Sequence, residues 1–304
     1  MKKIVVVGSI NMDVVIRVPH IPVVGETILA KGQKLFGGGK GANQAIAVSR
    51  LGGNVSMIGR IGNDEYGKKL HQGLVKSGVN VDGVEFDEKS PTGTAYIYVS
   101  DKGDNNIVVN PGANSRVDRN QIDRYESLFE GAEYCIIQME IPIDIVEYVI
   151  GLCKKKGIKV MLNPAPAHVP SEVAYKDLYM ILPNETELKI LSGSNGNLEE
   201  MAESLYKKGV KNVIATLGEN GCMLLNGKGI KYFPAPPFSP VDTTAAGDSF
   251  VAGVTVGLSE EMSMEKAIKL GSYAAGVTIS KEGAQASIPD RKTVDSYLSE
   301  NNKS

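Results

Sequence analysis

Tryptophan is absent from this chain of 304 residues, and cysteine and histidine occur only three times each. The cysteines, Cys135, Cys153 and Cys222, are odd in number and widely spaced, which argues against a disulfide framework. Reduced thiols are typical of cytoplasmic proteins, so we expect this chain to work in the cytoplasm. The histidines lack the spacing of metal ligands, which argues against a structural zinc site.

The sequence also lacks a long apolar run and a strong net charge. No apolar run approaches the roughly 18 residues that a membrane-spanning helix needs, so we expect no membrane span. The 33 lysines and arginines nearly balance the 35 aspartates and glutamates, and the net charge of −2 indicates no surface for nucleic acid. With 42% hydrophobic and 22% charged residues, the composition is that of an ordinary globular protein with a substantial core.

A stretch near the C-terminus carries the clearest chemical signal. Asp-Thr-Thr-Ala-Ala-Gly-Asp-Ser-Phe occupies Asp242–Phe250 and runs into an apolar segment, Ser249–Leu258, whose pattern predicts a buried helix. The small residues before Asp248 would form the turn into this helix, where backbone N–H groups without partners attract an anion. Asp248, beside that anion site, could act as a general base; the alternative is that it only caps the helix.

Polar residues also follow two predicted strands. Lys3–Val7 has the largely β-branched pattern of a strand buried on both faces, and Asn11 and Asp13 come soon after its end. Glu140 follows a second such strand, Tyr134–Gln138. Ligands of open α/β sheets gather beyond the carboxyl ends of strands, where Asn11 and Asp13 could hydrogen-bond the hydroxyl groups of a ligand. The alternatives are an Asn- and Asp-rich turn and, for the glutamate, a charge that caps a helix.

A glycine-rich segment, Gly37–Gln44, differs from the common phosphate-binding loops. Lys40 is followed by glycine rather than serine or threonine, so the segment is not a Walker A loop. It formally matches a dinucleotide-binding fingerprint, but it does not follow the first strand of a βαβ unit. Its glycines would let a ligand approach the backbone, while Lys40 adds charge and Asn43 adds a donor and an acceptor.

A pair of oxygen-bearing side chains begins a later helix. Asn184 and Glu187 follow the predicted strand Tyr179–Leu182 and lie three positions apart, on one helical face. Such a pair at the start of a helix can form a capping box, in which the glutamate reaches back to the cap residue.

Four short strands interrupt the alternation of buried strands and helices. The patterns of Val14–Val18, Thr27–Lys34, Thr94–Ser100 and Asn105–Asn110 predict a small accessory sheet, which could cover an active site as a lid or pair with a second subunit. The rest of the chain predicts an α/β fold with a doubly wound, mostly parallel central sheet flanked by helices. We expect one domain over residues 1–304, with a lid from segments at about 12–36 and 92–111.

Shorter segments near these elements are also predicted. Asp118–Phe129 has the pattern of one helix. The last two helices are expected at about Met264–Ser280 and Lys292–Ser299, and Gly283–Ser287 between them shows no regular pattern.

Two motifs together resemble one family. Asp-Thr-Thr-Ala-Ala-Gly-Asp at residues 242–248 is similar to the C-terminal signature of the ribokinase-like sugar kinases, the PfkB family. Gly-Gly-Gly-Lys-Gly-Ala-Asn-Gln at residues 37–44 is similar to the family's N-terminal signature. The resemblance extends over essentially the whole chain, and it implies the fold predicted above with a β lid over the sugar.

The resemblance implies an enzyme that uses ATP to phosphorylate D-ribose at its 5-hydroxyl, giving D-ribose 5-phosphate and ADP. It implies that Asp248 is the base and that the N–H groups of Ala245, Ala246 and Gly247 hold the charge on the transferred phosphoryl group. Two alternatives stay open: a kinase of the same family acting on deoxyribose, fructose or a nucleoside, and a non-catalytic sugar-binding protein.

The resemblance also assigns the other contacts, position by position. The sugar would contact Asn11, Met12, Asp13, Gly38, Gly39, Lys40, Asn43, Glu140 and Asp248. ATP would contact Asn184, Thr216, Leu217, Gly218, Glu219, Asn220, Gly221, Gly247, Asp248 and Ser272. Members of the family often carry asparagine near the adenine where this chain has Ser272, which puts the adenine contacts in doubt.

Two ions and a second subunit complete the expectations from the resemblance. Beyond a capping box, the resemblance implies that Asn184 and Glu187 organise Mg²⁺, water and the ATP phosphates, with a partly hydrated Mg²⁺ bound indirectly near Glu187. Lys281 would contribute only its carbonyl to a K⁺ site, because its ammonium group would repel the ion. Asp242 would be one ligand of this K⁺ site, unless it only caps its own turn. A homodimer is expected to form through the lid sheet. The K⁺ cage would consist of Asp242, Thr244, Thr278, Lys281, Gly283 and Ser287.

Overall fold

The first strand places its side chains on both faces of a large sheet. The computed structural model describes residues 2–300, and in it strand β1 spans Lys3–Val7. Its four apolar side chains are fully buried and alternate between two hydrophobic cores, Ile4 and Val6 in one and Val5 and Val7 in the other. A strand buried on both faces belongs to the interior of a parallel sheet, as the β-branched run predicted.

In the described part of the chain, nine strands form the central sheet. Strands β2 to β13 are, in chain order, Asn11–Val18, Gly32–Gly38, Asn54–Gly62, Asn80–Asp87, Gly93–Ser100, Asn105–Asn110, Ala132–Gln138, Lys159–Asn163, Leu178–Ile181, Asn212–Thr216, Cys222–Asn226 and Gly229–Phe233. The order in the central sheet is β13–β12–β11–β10–β9–β8–β1–β4–β5. All neighbours from β11 to β5 pair in parallel, whereas β12 and β13 are antiparallel additions at one edge.

Helices cover both faces of this sheet. Helices α1 to α11 are Lys40–Arg50, Glu65–Lys76, Arg119–Arg124, Ile143–Lys156, Glu172–Lys176, Glu185–Ser192, Leu198–Lys207, Ala246–Ser259, Met264–Ile279, Ala284–Ser287 and Arg291–Glu300. Apolar residues of α1, α8 and α9 join the core that contains Ile4, and those of α4, α6 and α7 join the core that contains Val5. The predicted doubly wound α/β fold is therefore confirmed.

A separate four-stranded sheet, in the order β3–β2–β6–β7, corresponds to the predicted accessory sheet. Strands β2 and β6 pair in parallel at its centre, with β3 and β7 antiparallel on the outside. Every residue of the edge strand β7 is exposed, including Ile107, Val108 and Val109. An exposed edge strand with apolar side chains presents unpaired backbone groups to another chain.

One accessory strand lies further along the chain than predicted. The sequence favoured a strand at Thr27–Lys34, but residues 19–31 contain no strand and β3 begins at Gly32. The backbone of β3 aligns with β2 from the pair Arg17–Gly32 to the pair Asn11–Gly38. This tertiary pairing outweighs the low strand propensity of the glycines.

Two other segments also differ from prediction. The expected helix Asp118–Phe129 is interrupted at Tyr125 (φ −105°, ψ 22°), which separates α3 from a 3₁₀ turn and lets Leu128 and Phe129 reach the core. Gly283–Ser287, without a regular pattern in the sequence, contains the short helix α10, which packs against β3. A helix of four residues is too short to show periodicity.

The three cysteines are buried and unpaired. Among residues 2–300, no helix combines the length and the apolar character needed to cross a membrane.

Candidate functional site

A cleft of about 450 Å³ opens between the four-stranded sheet and the carboxyl ends of the central strands. Strands β6 and β7 line it with Ala95, Ile97, Asn105, Ile107 and Val109. It brings together most of the residues singled out in the sequence: Asn11, Asp13, Gly39, Lys40, Asn43, Glu140, Asn184, Glu187, Thr216, Thr244, Ala245, Ala246, Gly247 and Asp248.

The turn before α8 presents backbone N–H groups to the cleft. Ala245 precedes the helix with φ 62°, in the left-handed region that residues other than glycine rarely adopt. The Ala246 N–H donates to the Thr243 carbonyl at 3.2 Å and so closes the turn. In the described part of the chain, the N–H groups of Ala245 and Gly247 find no hydrogen-bond partner. Two of the three predicted donors are therefore free to bind an anion at the positive end of the helix.

Asp248 lies in the first turn of α8 and is only 6% exposed. Its Oδ2 accepts a hydrogen bond from Asn43 Nδ2, and its Oδ1 accepts one from Gln44 Nε2, both at 2.9 Å. These bonds orient the carboxylate and leave further lone pairs for a ligand. Such a carboxylate beside free N–H groups can take a proton from a hydroxyl while the N–H groups bind the centre that this hydroxyl attacks.

Several charged groups share the cleft. Burial, and then the negative charges of Glu140 and Asp248, raise the pKa of Asp13 to about 7, although Lys40 opposes the shift. Burial disfavours the charged form of Lys40, but the surrounding acids outweigh it and leave the lysine pKa raised. The Ser9 hydroxyl and the Lys40 backbone N–H both donate to Glu140 Oε2 and fix that carboxylate. The cleft thus offers strong acceptors and one cation to a polyhydroxylated ligand.

The raised pKa of Asp13 predicts a pH-dependent stability. The unfolded carboxyl has an ordinary pKa near 4, so between about pH 4 and 7 the folded state binds the extra proton, and unfolding free energy falls as pH rises through this window. Asp13→Asn should remove this fall and gain on the order of 2 kcal/mol over wild type between pH 5 and 7. Urea denaturation without sugar measures it, with exposed Asp82→Asn as the control. Parallel pH profiles of wild type and Asp13→Asn would refute the assignment.

Glycine is required twice on this side of the cleft. Gly39 has φ 84°, and a Cβ there would lie 2.6 Å from the Asn11 backbone nitrogen. A Cβ at Gly38 would overlap the Asp13 carboxylate. The two glycines therefore bring the backbone of the loop against the polar end of β2.

Met12 is placed differently from its neighbours. Its side chain is fully buried in the hydrophobic core, whereas Asn11 and Asp13 line the cleft. The difference follows from the alternation of side chains along β2. Of the predicted sugar contacts, Met12 can therefore offer only its backbone.

Asn114 was not singled out from the sequence, yet it orients a cleft residue. It is buried, its Oδ1 accepts from the Ile10 N–H at 2.9 Å, and its Nδ2 donates to Asn11 Oδ1 at 2.6 Å. A lone asparagine about a hundred positions away gives no motif in the sequence.

The cleft contains only some of the residues that were predicted to bind the nucleotide. Asn184 and Glu187 form the capping box that was one of the two alternatives, with bonds of 2.8 and 2.9 Å, and both still face the cleft. Burial raises the pKa of Glu187, although the hydrogen bond from the Asn184 N–H and the positive charge of Lys40 both act to lower it. Thr216 forms a parallel bridge with Asn184. The cleft lining does not include Leu217, Gly218, Glu219, Asn220, Gly221 or Ser272.

The Asp242 carboxylate accepts hydrogen bonds from two of the other predicted cation ligands, Thr244 and Gly283. Its Oδ1 accepts from the Thr244 N–H at 2.9 Å and hydroxyl at 2.6 Å, so it does cap its own turn. Its Oδ2 accepts from the Gly283 N–H at 2.9 Å. Burial raises the pKa of Asp242, but these hydrogen bonds outweigh it and hold the pKa below the ordinary value. The carboxylate therefore remains ionised and available to a cation.

The hydroxyl groups of two further predicted cation ligands, Thr278 and Ser287, donate hydrogen bonds to other groups. The Thr278 hydroxyl donates to Ser249 Oγ at 2.7 Å, and the Ser287 hydroxyl donates to the Ala284 carbonyl at 2.8 Å. Over residues 2–300, no three His, Cys, Asp or Glu side chains come together as a metal site. Any ion here would rely on one carboxylate and on carbonyl or hydroxyl oxygens.

Comparison with known proteins agrees with this geometry. The model of the pfkB family of carbohydrate kinases matches residues 1–291. A ribokinase of Haemophilus influenzae is 36% identical over 301 residues, which make up 98% of each chain. The crystal structure of a ribokinase from Thermotoga maritima has a TM-score of 0.92 at 37% identity and covers 98% of this chain and 100% of its own.

A ribokinase of Arabidopsis thaliana, solved in complex with ribose and ATP, has a TM-score of 0.89 at 32% identity, with 98% of each chain covered. The family match, the fold and the two signature motifs that meet in the cleft therefore agree over nearly the full length. The chain belongs to the pfkB family of carbohydrate kinases.

Proposed function

We propose that this chain is a ribokinase, which transfers the terminal phosphoryl group of ATP to the 5-hydroxyl of D-ribose and yields D-ribose 5-phosphate and ADP. The observation that carries the proposal is the meeting, in one cleft, of the buried Asp248 carboxylate, the free N–H groups of the turn before it, and hydroxyl-binding side chains on β2. The relatives named ribokinases, one of them in complex with ribose and ATP, support both substrates.

The proposed chemistry assigns one task to Asp248 and another to the backbone N–H groups at the start of α8. Asp248 accepts the proton of the 5-hydroxyl as that oxygen bonds to the γ-phosphorus and the bond from this phosphorus to ADP breaks. The N–H groups of Ala245 and Gly247 hold the negative charge on the transferred group. This geometry strains Ala245 by about 1–2 kcal/mol, because its backbone lies in the left-handed region. Residues strained in this way cluster at active sites.

The sugar would occupy the end of the cleft near β2. Asn43 Oδ1 is buried and, among the described residues, has no hydrogen-bond partner. An unsatisfied buried acceptor costs about 1–3 kcal/mol, so a sugar hydroxyl that donates to it would be bound favourably. Hydroxyl donation to Asp13 would likewise stabilise its ionised form. Asn11, Lys40 and the other loop residues would complete the sugar contacts.

ATP would lie along Asn184 and Thr216, with its phosphates toward the α8 turn. Glu187, one of the carboxylates that line the cleft, suits a Mg²⁺ ion that keeps most of its water and binds the phosphates. When bound, the ion would neutralise phosphate charge. Lys40, which stays protonated in the acidic cleft, would add a second positive charge.

A monovalent cation such as K⁺ would bind beside Asp242. The ionised carboxylate and the carbonyl oxygens around Gly283 are the oxygen donors that a weakly hydrated cation accepts. Because Asp242 is bonded to Thr244, the ion would steady the turn that carries the free N–H groups. It would therefore act on turnover rather than on ATP affinity.

Replacing K⁺ by Na⁺ or Li⁺ at constant ionic strength should lower kcat severalfold and leave the KM for ATP nearly unchanged. The assay uses protein freed of bound ions by dialysis. Asp242→Asn is the matched variant, and its kcat should no longer depend on the cation. Equal kcat of the wild type in all three salts would exclude activation by K⁺.

The four-stranded sheet would serve as a lid over the sugar. Its strands β6 and β7 already contribute Ile97, Asn105 and Ile107 to the cleft wall, and closure would exclude water from the reaction.

The outward apolar residues Val108 and Tyr96 on the same strands would contact a second copy of the chain in a homodimer. Sedimentation equilibrium that finds only monomers at micromolar concentration would refute the dimer.

Deleting the hairpin tip Asp101–Asp104 should raise the KM for sugar and barely change the affinity for ATP. The four residues of the tip are exposed and follow Ser100, which pairs with Val18 at the far end of β2 from Asp13, so the fold should survive their loss. Initial rates with either substrate varied give both constants. An unchanged KM for sugar would remove the lid from the sugar site.

Substrate preference tests the proposed function directly. We expect kcat/KM for D-ribose to exceed that for 2-deoxyribose, fructose and adenosine in an ADP-release assay. A higher value for any of these would make the chain a kinase of the same family with another substrate. Sugar binding without ADP release would indicate a non-catalytic protein.

A further inference from the structure

A chain of side-chain amides lies behind Asp248, and of its members Gln44, Gln138 and Asn163 only Asn163 lines the cleft. Gln44 is fully buried at its centre. Its Nε2 donates to Asp248 Oδ1 at 2.9 Å and to Asn163 Oδ1 at 3.0 Å, and its Oε1 accepts from Gln138 Nε2 at 2.6 Å. Both N–H groups of this amide and its oxygen are therefore used.

The direction of every amide in the chain is fixed by its neighbour. Asn163 Nδ2 donates to the Leu182 carbonyl at 3.2 Å, and a backbone carbonyl can only accept. Asn163 must then turn its oxygen toward Gln44, and Gln44 must turn its nitrogen toward Asn163 and Asp248. Rotating either amide by half a turn would bring two donors or two acceptors together. The Leu182 carbonyl, which follows β10, thus fixes through Asn163 and Gln44 the orientation of the Asp248 carboxylate on α8.

The second amide on Asp248 is held less firmly. Asn43 lines the cleft, and its Oδ1 has no partner within the described part of the chain, so a ligand can change its position. Gln44 does not line the cleft and has three protein partners. The rigid contact on the carboxylate is therefore the one at Oδ1.

We propose that Gln44 is the positioning residue that orients the Asp248 carboxylate toward the attacking hydroxyl. The inference rests on the proposed kinase chemistry but not on which sugar is the substrate. A catalytic group must be held to within about 0.5 Å and 10–20° of its productive geometry. Gln44 meets this need by linking the strand ends of β8, β9 and β10 to the first turn of α8.

Gln44→Met keeps the length of the side chain and removes both donors. We expect kcat to fall about 10- to 100-fold, with the KM values for sugar and ATP within about threefold of wild type. Rates are measured with whichever sugar the wild type phosphorylates fastest. Failure of ribose as the substrate would therefore show separately from failure of the Gln44 assignment.

Gln44→Glu gives a signature that a merely structural role would not. The new carboxylate would face Asp248 Oδ1, and two carboxylates at this distance share a proton. The low-pH limb of the kcat profile should then move up by about one pH unit or more. The other charged groups that interact with Asp248 are Lys40 from α1, Asp13 from β2 and Glu187 from α6, and they are the same in both proteins.

Gln121→Met is the matched control. Gln121 is also fully buried, but it donates to the Gly59 and Gly83 carbonyls, outside the cleft lining. This variant should lose stability and keep its kcat. If the Gln44 variants do not fold, Gln138→Met, one step further along the amide chain, should lower kcat severalfold.

Three results would overturn the proposal. The first is a kcat of Gln44→Met within twofold of that of Gln121→Met. The second is a Gln44→Glu enzyme whose low-pH limb does not move. The third, should neither Gln44 variant fold, is an unchanged kcat in Gln138→Met.

Discussion

Asp248→Asn is expected to lower kcat by on the order of 10²–10⁴ and to leave sugar binding within a few-fold of wild type. An amide cannot accept the hydroxyl proton, although it keeps the size of the carboxylate. Asn43 and Gln44 both donate to Asp248, so the new amide nitrogen must face one of them, at a cost of about 1–3 kcal/mol in stability. Steady-state kinetics and calorimetric sugar binding, well below the melting temperature, separate the two effects.

The control for this variant is Asp144→Asn. Asp144 is also an aspartate in the first turn of a helix, but it is exposed on α4. Its loss should cost only the helix-dipole contribution, about 0.3–1 kcal/mol, with kcat unchanged. Near wild-type turnover in Asp248→Asn would end the general-base assignment.

Substitutions at Gly247 are expected to separate activity from stability. A Cβ at this position meets no atom of residues 2–300 within 4 Å outside its own helical turn, and the residue lines the cleft beside the free N–H groups. Gly247→Ala should keep or raise stability by about 0.5–1 kcal/mol, because glycine is a poor helix former. Gly247→Val should lower kcat/KM by about 10²–10³, because its methyl groups occupy the space for the phosphoryl group.

Gly73→Ala provides the comparison for the Gly247 series. Gly73 lies within α2, and a Cβ there also meets no described atom within 4 Å beyond its own helical turn, but the residue is not part of the cleft. It should gain similar stability and keep full activity. If Gly247→Val were as active as wild type, the α8 turn would not be the phosphoryl site.

The central fold could be predicted because its signals are local. The β-branched run of β1, for example, needs only its own residues to indicate a strand buried on both faces. Asp13, Glu140 and Asn184 could be singled out for a related reason, since polar residues just beyond buried strands meet at one edge of a parallel sheet.

What the sequence did not reveal depends on contacts between distant segments. Strand β3 is fixed by its register with β2 rather than by its glycine-rich residues. The same holds for Gln44, whose partners are 94, 119 and 204 positions away. One local feature was also missed: nothing in the sequence distinguished Ala246 from its neighbours, because only the tight turn at Ala245 directs its N–H to the Thr243 carbonyl.

The most direct test is the product formed from D-ribose by the purified protein with MgATP and K⁺. Phosphorus NMR should show one sugar phosphate coupled to the two protons on carbon 5, in equal amount to the ADP released. Phosphate on another carbon, or ADP release no faster with ribose than without it, would contradict the assignment of this cleft as a ribose 5-kinase.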